Sequence, residues 1–238
     1  MGFVDLHAHY LPGIDDGAAN LERALLMVEA VSSLGFTVLN ATPHQRAGVF
    51  LPSAEQIGAA HDTLARQMEA TFPEVTLGLG AENYWDDVFL TRLGAEGLPL
   101  YRGTQSFLFE LPPPILPPRF EQTLFEIRLS GRLPVMAHPE RYAAIQNDLD
   151  RAEAFGRSAA LVVDLAALDG AHGRQEMKTA RRLLEADLAH AAATDIHAPE
   201  DQRAIAAGMA WIRKRLGESA LERLLDENPR RILAGDLF

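Results

Sequence analysis

The feature that most constrains this chain is a repeated alternation. Short runs rich in Val, Leu, Phe and Ala are each followed by a longer stretch with helical spacing. Seven such runs stand at 4–8, 37–41, 76–80, 106–109, 133–137, 160–165 and 189–193. Strand-length runs alternating with helical patterns predict βαβ units, whose strands lie parallel. The expected helices carry recognisable ends. Asn20 precedes a helix over 21–34 with Gly35 just beyond it, and Ser53 with Gln56 forms a capping box ahead of the next. Others are expected over 86–93, 119–129, 150–158, 175–186 and 199–216, and the tail 219–233 reads as two short helices broken at Asn228-Pro229. The strand starts are nearly regularly spaced and no linker divides the chain. One α/β barrel over residues 1–238 is the expectation.

Composition narrows what such a barrel can do. With 47% hydrophobic and 23% charged residues, the chain has the profile of a soluble globular protein with a sizeable core. Cysteine is absent, which excludes disulfides, thiolate-bound zinc, iron–sulfur clusters and every cysteine nucleophile. The net charge of −11 argues against nucleic acid as a partner. No apolar run is long enough to span a bilayer, so no membrane insertion is expected. The start at Met1-Gly2 lacks the features of a secretory signal, and Leu6 stands where a myristoylation signal needs Ser or Thr. The cytoplasm is the expected location.

Histidine and carboxylate residues gather at one edge of this repeat. His7 and His9 close the first run, and their i, i+2 spacing puts both on one face of a strand. Asp15-Asp16-Gly17 follows in the loop. The second run leads into Thr42-Pro43-His44, the third into Glu82, the fourth into Glu110, the fifth into His138, and the seventh into Asp195-Ile196-His197. Six of seven strands thus deliver a metal-type ligand at the C-terminal end, the face where barrel enzymes build their sites. A lone Asp or Glu there is ordinarily a cap or a solvated side chain and a lone His a satisfied polar residue, and His61, His172 and His190 are read in that way. Nine at one edge are not explained so. Imidazoles mixed with carboxylates suit zinc, iron or manganese, and nine donors are too many for one ion. Clustered cations activate water and clamp anionic oxygens, which is the chemistry of hydrolysis.

Asp5-Leu6-His7-Ala8-His9, Asp15-Asp16-Gly17, Thr42-Pro43-His44, Gly80-Ala81-Glu82, Phe109-Glu110, Ala137-His138-Pro139-Glu140-Arg141-Tyr142 and Thr194-Asp195-Ile196-His197 together resemble the polymerase and histidinol phosphatase (PHP) superfamily. Within it the chain is most similar to the metal-dependent protein-tyrosine phosphatases of the CpsB/YwqE type, associated with capsule and exopolysaccharide. Glu227-Asn228-Pro229-Arg230-Arg231-Ile232-Leu233 adds a further cue, and the likeness runs from Phe3 to Leu237.

The resemblance implies a distorted seven-stranded, TIM-like (β/α) barrel and three divalent ions, with Mn2+ preferred and iron or Zn2+ as alternatives. It would place one ion on His7, His9, Glu82 and Asp195, and a second on Glu82, Glu110 and His138, with Glu82 bridging. Asp16, His44 and His197 would take the third. Arg141 matches the family's phosphate-binding arginine, with Arg46 and Arg203 as further substrate-binding candidates. Glu82, Asp195 and Arg141 are the residues expected to carry catalysis.

The implied reaction is hydrolysis of a phosphomonoester by water activated at the metals, without a cysteinyl intermediate. The implied substrate is a phosphotyrosine on the tail of a bacterial tyrosine kinase of polysaccharide export. Asp164, ending the one strand without a ligand, is a candidate general acid. Two alternatives stay open at this point: another PHP phosphoesterase acting on histidinol phosphate or a nucleotide, and a non-catalytic PHP regulatory module.

Overall fold

Two of the seven expected strands are each followed, after a two-residue gap, by a further short strand, and these additions place the site. The computed structural model describes residues 2–94 and 97–236, so Met1 and Leu237 lie outside it. Its strands are β1 (Phe3–Asp5), β2 (Phe36–Ala41), β3 (His44–Gln45), β4 (Thr76–Leu79), β5 (Glu82–Tyr84), β6 (Ser106–Glu110), β7 (Leu133–Ala137), β8 (Ala160–Asp164) and β9 (Ala191–Ala193). The second expected strand, 37–41, lies whole within β2, and the chain pairs again at β3 only after Thr42-Pro43, because proline cannot donate to a ladder. The third, 76–80, ends one residue early in β4, and β5 follows after Gly80-Ala81, where the Tyr101 ring packs so close that a Cβ on Gly80 would lie 2.8 Å from it.

All pairings are parallel. One sheet runs β1-β2-β4 and the other β3-β5-β6-β7-β8-β9. The last strand returns to the first. The Asp195 N–H donates to His7 O (2.8 Å), the His9 N–H to Ile196 O (3.1 Å), and Ala8 bridges Ile196 in parallel. The arrangement is a distorted α/β barrel in which nine segments follow a seven-strand order.

Side-chain alternation sorts the core into two regions. Leu108, Leu133, Val135, Ala137, Ala160, Val162, Ala191 and Ala193 face one buried cluster inside the strands, joined by Val4, Leu6 and Tyr101. Their neighbours Phe107, Phe109, Met136, Leu161, Val163 and Ala192 face a larger cluster under the helices. The period of two along each strand is what separates them. Helix ends follow their chemistry: Asn20 Oδ1 accepts from the Arg23 N–H, and the Ser53–Gln56 capping box is formed in both directions.

The tail departs from expectation. Helix Glu218–Glu222, the π-helical turn Arg223–Glu227 and helix Asn228–Ala234 run on without a break. Pro229 sits in the first turn of the last helix, where a missing N–H costs nothing. Asn228 Nδ2 donates to His190 O (2.6 Å), and Ile232 enters the inner cluster.

Candidate metal centre

The two short added strands set the register of the site. His44 on β3 and Glu82 on β5 are direct partners, and Tyr84 opposite Glu110 continues the same ladder. Beyond β1 the chain stays extended, so His7 and His9 share a face and their Nε2 atoms stand 3.3 Å apart. Two candidate ligands hold left-handed backbone, His138 at φ 34° and Asp195 at φ 47°. Non-glycine residues in that region carry strain of about 1–3 kcal/mol, which persists where the surroundings over-determine the geometry.

All nine predicted donors converge. Their atoms form four overlapping groups able to hold a cation: His7/His9/Asp195, His7/Glu82/His138, His44/Glu82/Glu110 and His9/Asp16/His44/His197. Glu82 is central and 1% exposed. Its Oε2 lies 3.2 Å from His7 Nε2, 3.5 Å from His9 Nε2 and 2.9 Å from His44 Nδ1, while Oε1 lies 2.9 Å from His138 Nε2. Asp195 Oδ1 lies 3.2 Å from His7 Nε2 and 3.4 Å from His9 Nε2. The cluster opens outward through His44 to Asp16, whose carboxylate is half exposed and lies 3.4 Å from His44 Nε2 and 3.6 Å from His197 Nε2.

The donor set fits cations on two observations. His44 Nδ1, Glu82 Oε2 and Glu110 Oε1 are buried and close, yet none of them makes a hydrogen bond. The two facing Nε2 atoms of His7 and His9 point at a common space rather than at separate partners. Close convergence without hydrogen-bond alignment is the geometry of ligands around an ion.

Electrostatics agree. Burial works against charge on His9, but hydrogen bonds to Asp15 and Asp195 together with nearby carboxylates outweigh it and raise the ring to about 10. Burial likewise opposes charge on His44, while Glu110 and Glu82 carry it to about 11. Burial penalises the charged forms of Glu82 and Asp195 as well, yet the surrounding histidines, with Arg141 beside Asp195, hold both well below the usual carboxylate range. The carboxylates thus demand positive charge at their centre, which divalent cations supply while leaving imidazoles neutral to ligate.

Supporting side chains fix the donors. Asp15 Oδ2 accepts from His9 Nδ1 (2.8 Å) and from the His44 N–H (3.1 Å), which turns His9 Nε2 inward. A Cβ on Gly17 would lie 2.2 Å from His9 O, so the turn can close on His9 only with glycine there. The Tyr142 hydroxyl donates to Ala137 O, accepts from the Leu111 N–H, and lies 3.3 Å from His138 Nδ1.

Arg141 stands at the lip of the cluster. Its terminal nitrogen donates to Asp195 Oδ2 (2.6 Å) and Asp164 Oδ2 (2.8 Å). Asp164 faces the site as the sequence suggested, but in the role of an ion-pair partner. Arg46 is exposed, with its guanidinium carbon 4.2 Å from the centre of the Tyr84 ring. Arg203 is exposed in the first turn of helix Gln202–Leu216, and no hydrogen bond or ion pair joins it to the cluster among the described residues. His172, read from sequence as a satisfied polar residue, is bound to Asp164, with Nε2 2.5 Å from Oδ2. Nothing in its local pattern marks it, because its loop meets β8 only in the fold. His61 and His190 stay outside the site: His61 pairs with Asp62, and His190 Nδ1 accepts from the Leu161 N–H.

Fold and donor set together define an α/β barrel with a cation-accepting His/carboxylate cluster at the C-terminal ends of its strands. Residues 3–234 match the family model described as capsular polysaccharide synthesis, CpsB/CapC, and the chain belongs to that family. It is 30% identical over 195 residues to the tyrosine-protein phosphatase YwqE of Bacillus subtilis, covering 82% of this chain and 77% of that protein. The tyrosine-protein phosphatase CpsB of Streptococcus pneumoniae is 26% identical over 99% of this chain and its own full length. A crystal structure from work on these two proteins, described as unique metal-dependent tyrosine phosphatases, matches with TM-score 0.87 and 27% identity over 97% of this chain and 94% of that one. An amidohydrolase from Mycoplasma synoviae, 12% identical with TM-score 0.54, shares the fold. Among the described residues no helix is long and apolar enough to cross a membrane.

Proposed function

We propose that this protein is a metal-dependent phosphomonoester hydrolase, a protein-tyrosine phosphatase acting on the phosphorylated tail of a bacterial tyrosine kinase in capsule or exopolysaccharide synthesis, in the cytoplasm. The observation that carries the reading is a nine-donor His/carboxylate cluster with one arginine held at its open lip. The names of the relatives supply the substrate class.

His7, His9, Glu82 and Asp195 would hold one divalent ion, Glu82, Glu110 and His138 a second, and Asp16, His44 and His197 a third, with Mn2+ the expected metal. Bound there, the ions supply water activation and neutralise charge on phosphoryl oxygens. The protein's own contribution is placement. Arg141 presents a planar guanidinium whose donors match phosphate oxygens bidentately. The buried Arg141 Nε makes no hydrogen bond. Arg46 and Arg203 offer further positive charge toward an acidic tail. With no cysteine in the chain the phosphoryl group has no thiolate to visit, and the reading is transfer to water.

The test is a panel of metal-reconstituted protein with a phosphotyrosine peptide, histidinol phosphate and a nucleotide, over a range of salt. Highest kcat/KM on the peptide is expected, with salt relieving repulsion between two acidic molecules. Preference for histidinol phosphate at every ionic strength would replace this reading by another phosphoesterase.

A further inference from the structure

The loop between β8 and helix Arg174–Glu185 brings a residue to the site that none of the ligand assignments uses. His172 Nε2 lies 2.5 Å from Asp164 Oδ2 and 3.3 Å from the terminal nitrogen of Arg141. The Asp164 side chain is 1% exposed, and its other oxygen accepts the Ala166 N–H at 2.7 Å. The carboxylate is therefore a fixed anchor. Both Arg141 and His172 donate to the same oxygen, which settles the proton of His172 on Nε2. No hydrogen bond engages Nδ1 among the described residues, and the side chain is 37% exposed. One edge of the ring is thus bound to a buried carboxylate, and the other is free beside the arginine proposed to grip phosphate.

We propose that His172 is the general acid of the reaction, giving its Nδ1 proton to the leaving oxygen as the phosphoester bond breaks. The role rests on the phosphomonoesterase reading above. Water oxygen forms the new bond to phosphorus, and the bond to the leaving oxygen breaks with its electron pair on that oxygen. The Nδ1 proton goes there, the proton lost by water passes to solvent, and solvent reprotonates the ring. Asp164 holds the ring in place and favours its charged form. The charged groups facing His172 are Asp164, Arg141 and Asp195. The hydrogen bond to Asp164 raises its pKa, while burial and Arg141 oppose the rise. Asp164 is the anchor in this arrangement, because its outer oxygen already accepts two donors.

A general acid matters most when the leaving group is poor, and this separates the role from anion binding or structure. The experiment compares wild type and His172→Gln, both metal-loaded, on p-nitrophenyl phosphate and on a phosphotyrosine peptide, whose phenol has a pKa of about 10. The expected result is a kcat loss of about 10²–10³-fold on the peptide, a much smaller loss on p-nitrophenyl phosphate, and unchanged metal content. The wild type should lose kcat at high pH, and that fall should vanish in the variant. Equal losses on both substrates, or none, would overturn the role of His172 while leaving the phosphatase reading intact. Wild-type protein that hydrolyses neither substrate would overturn both.

Discussion

Two buried polar clusters lie side by side where the last strand meets the first, and they are built on opposite rules. Around Asp5 every close contact is an aligned hydrogen bond. Oδ2 accepts from the Tyr10 hydroxyl (2.7 Å) and Thr194 Oγ1 (2.6 Å), and Oδ1 from the Thr194 N–H (3.0 Å). Asn40 Nδ2 donates to Asp5 O at 2.8 Å. Around Glu82 the atoms are as close, yet His44 Nδ1, Glu82 Oε2 and Glu110 Oε1 make no hydrogen bond. The first cluster is saturated and ties β1 to the start of the Asp195 turn. The second is convergent and unsatisfied, which in a buried place signals a missing charge. Saturation marks a clamp, and convergence marks a receptor.

The largest effect that would separate them is loss of the cations. Exhaustive chelation, with metal analysis confirming removal, should abolish phosphatase activity, while iodoacetamide should leave it untouched. Glu82→Ala should lose metal and turnover together. Arg141→Ala should lose turnover and keep metal. Metal loss in Arg141→Ala, or full metal retention in Glu82→Ala, would contradict the roles of both.

Asp5→Ala tests the clamp. It strands the Tyr10 and Thr194 donors in a buried place and should cost on the order of 3 kcal/mol of stability, read from the denaturant midpoint. Cation binding by the folded fraction should persist. If Asp5→Ala empties the site as fully as Glu82→Ala, the two clusters are one unit and the distinction fails.

Asp15→Ala sits between the two. Asp15 touches no cation position but orients His9, so metal affinity or activity should fall about 10–100-fold, measured by titration of the metal-free protein. A loss as complete as that of Glu82→Ala would make Asp15 a ligand.

The smallest effect belongs to His190, outside both clusters. Burial lowers its pKa to about 4, and its Nδ1 accepts the Leu161 N–H and so must stay unprotonated. The unfolded ring titrates near 6.5, so the unfolded state binds more protons between those values. Stability from this residue is full above about pH 6.5 and is lost progressively as pH falls toward 4. His190→Asn, which keeps an acceptor, should flatten that stretch of the stability profile. An unchanged slope would assign the acid loss to other groups.

The donor positions were legible because they depend on local period. An i, i+2 pair on a strand faces one way wherever the strand goes, and a ligand type just past each strand lands at the same end of a parallel sheet. The caps at Asn20 and Ser53 are also local, since their partners lie three residues on. The bounds of the strands were less legible. Short strands β3 and β5 follow Pro43 and Gly80 where none was expected, and only the packing of Tyr101 against Gly80 shows why the second gap falls there.

What the sequence alone determined is the class of fold and the kind of chemistry its edge can support, because covalent spacing already carries both. Tertiary structure decided what Asp15 does beside the already expected Asp16: it accepts from His9 Nδ1 and orients that ring. It decided that His172 meets Asp164 and Arg141 and that the tail runs unbroken over Pro229. It also decided that Asp5 clamps Thr194, 189 residues away. These depend on contacts between segments that no local pattern relates, and a side chain's role there is set by whichever charge or donor the fold brings within 3 Å of it.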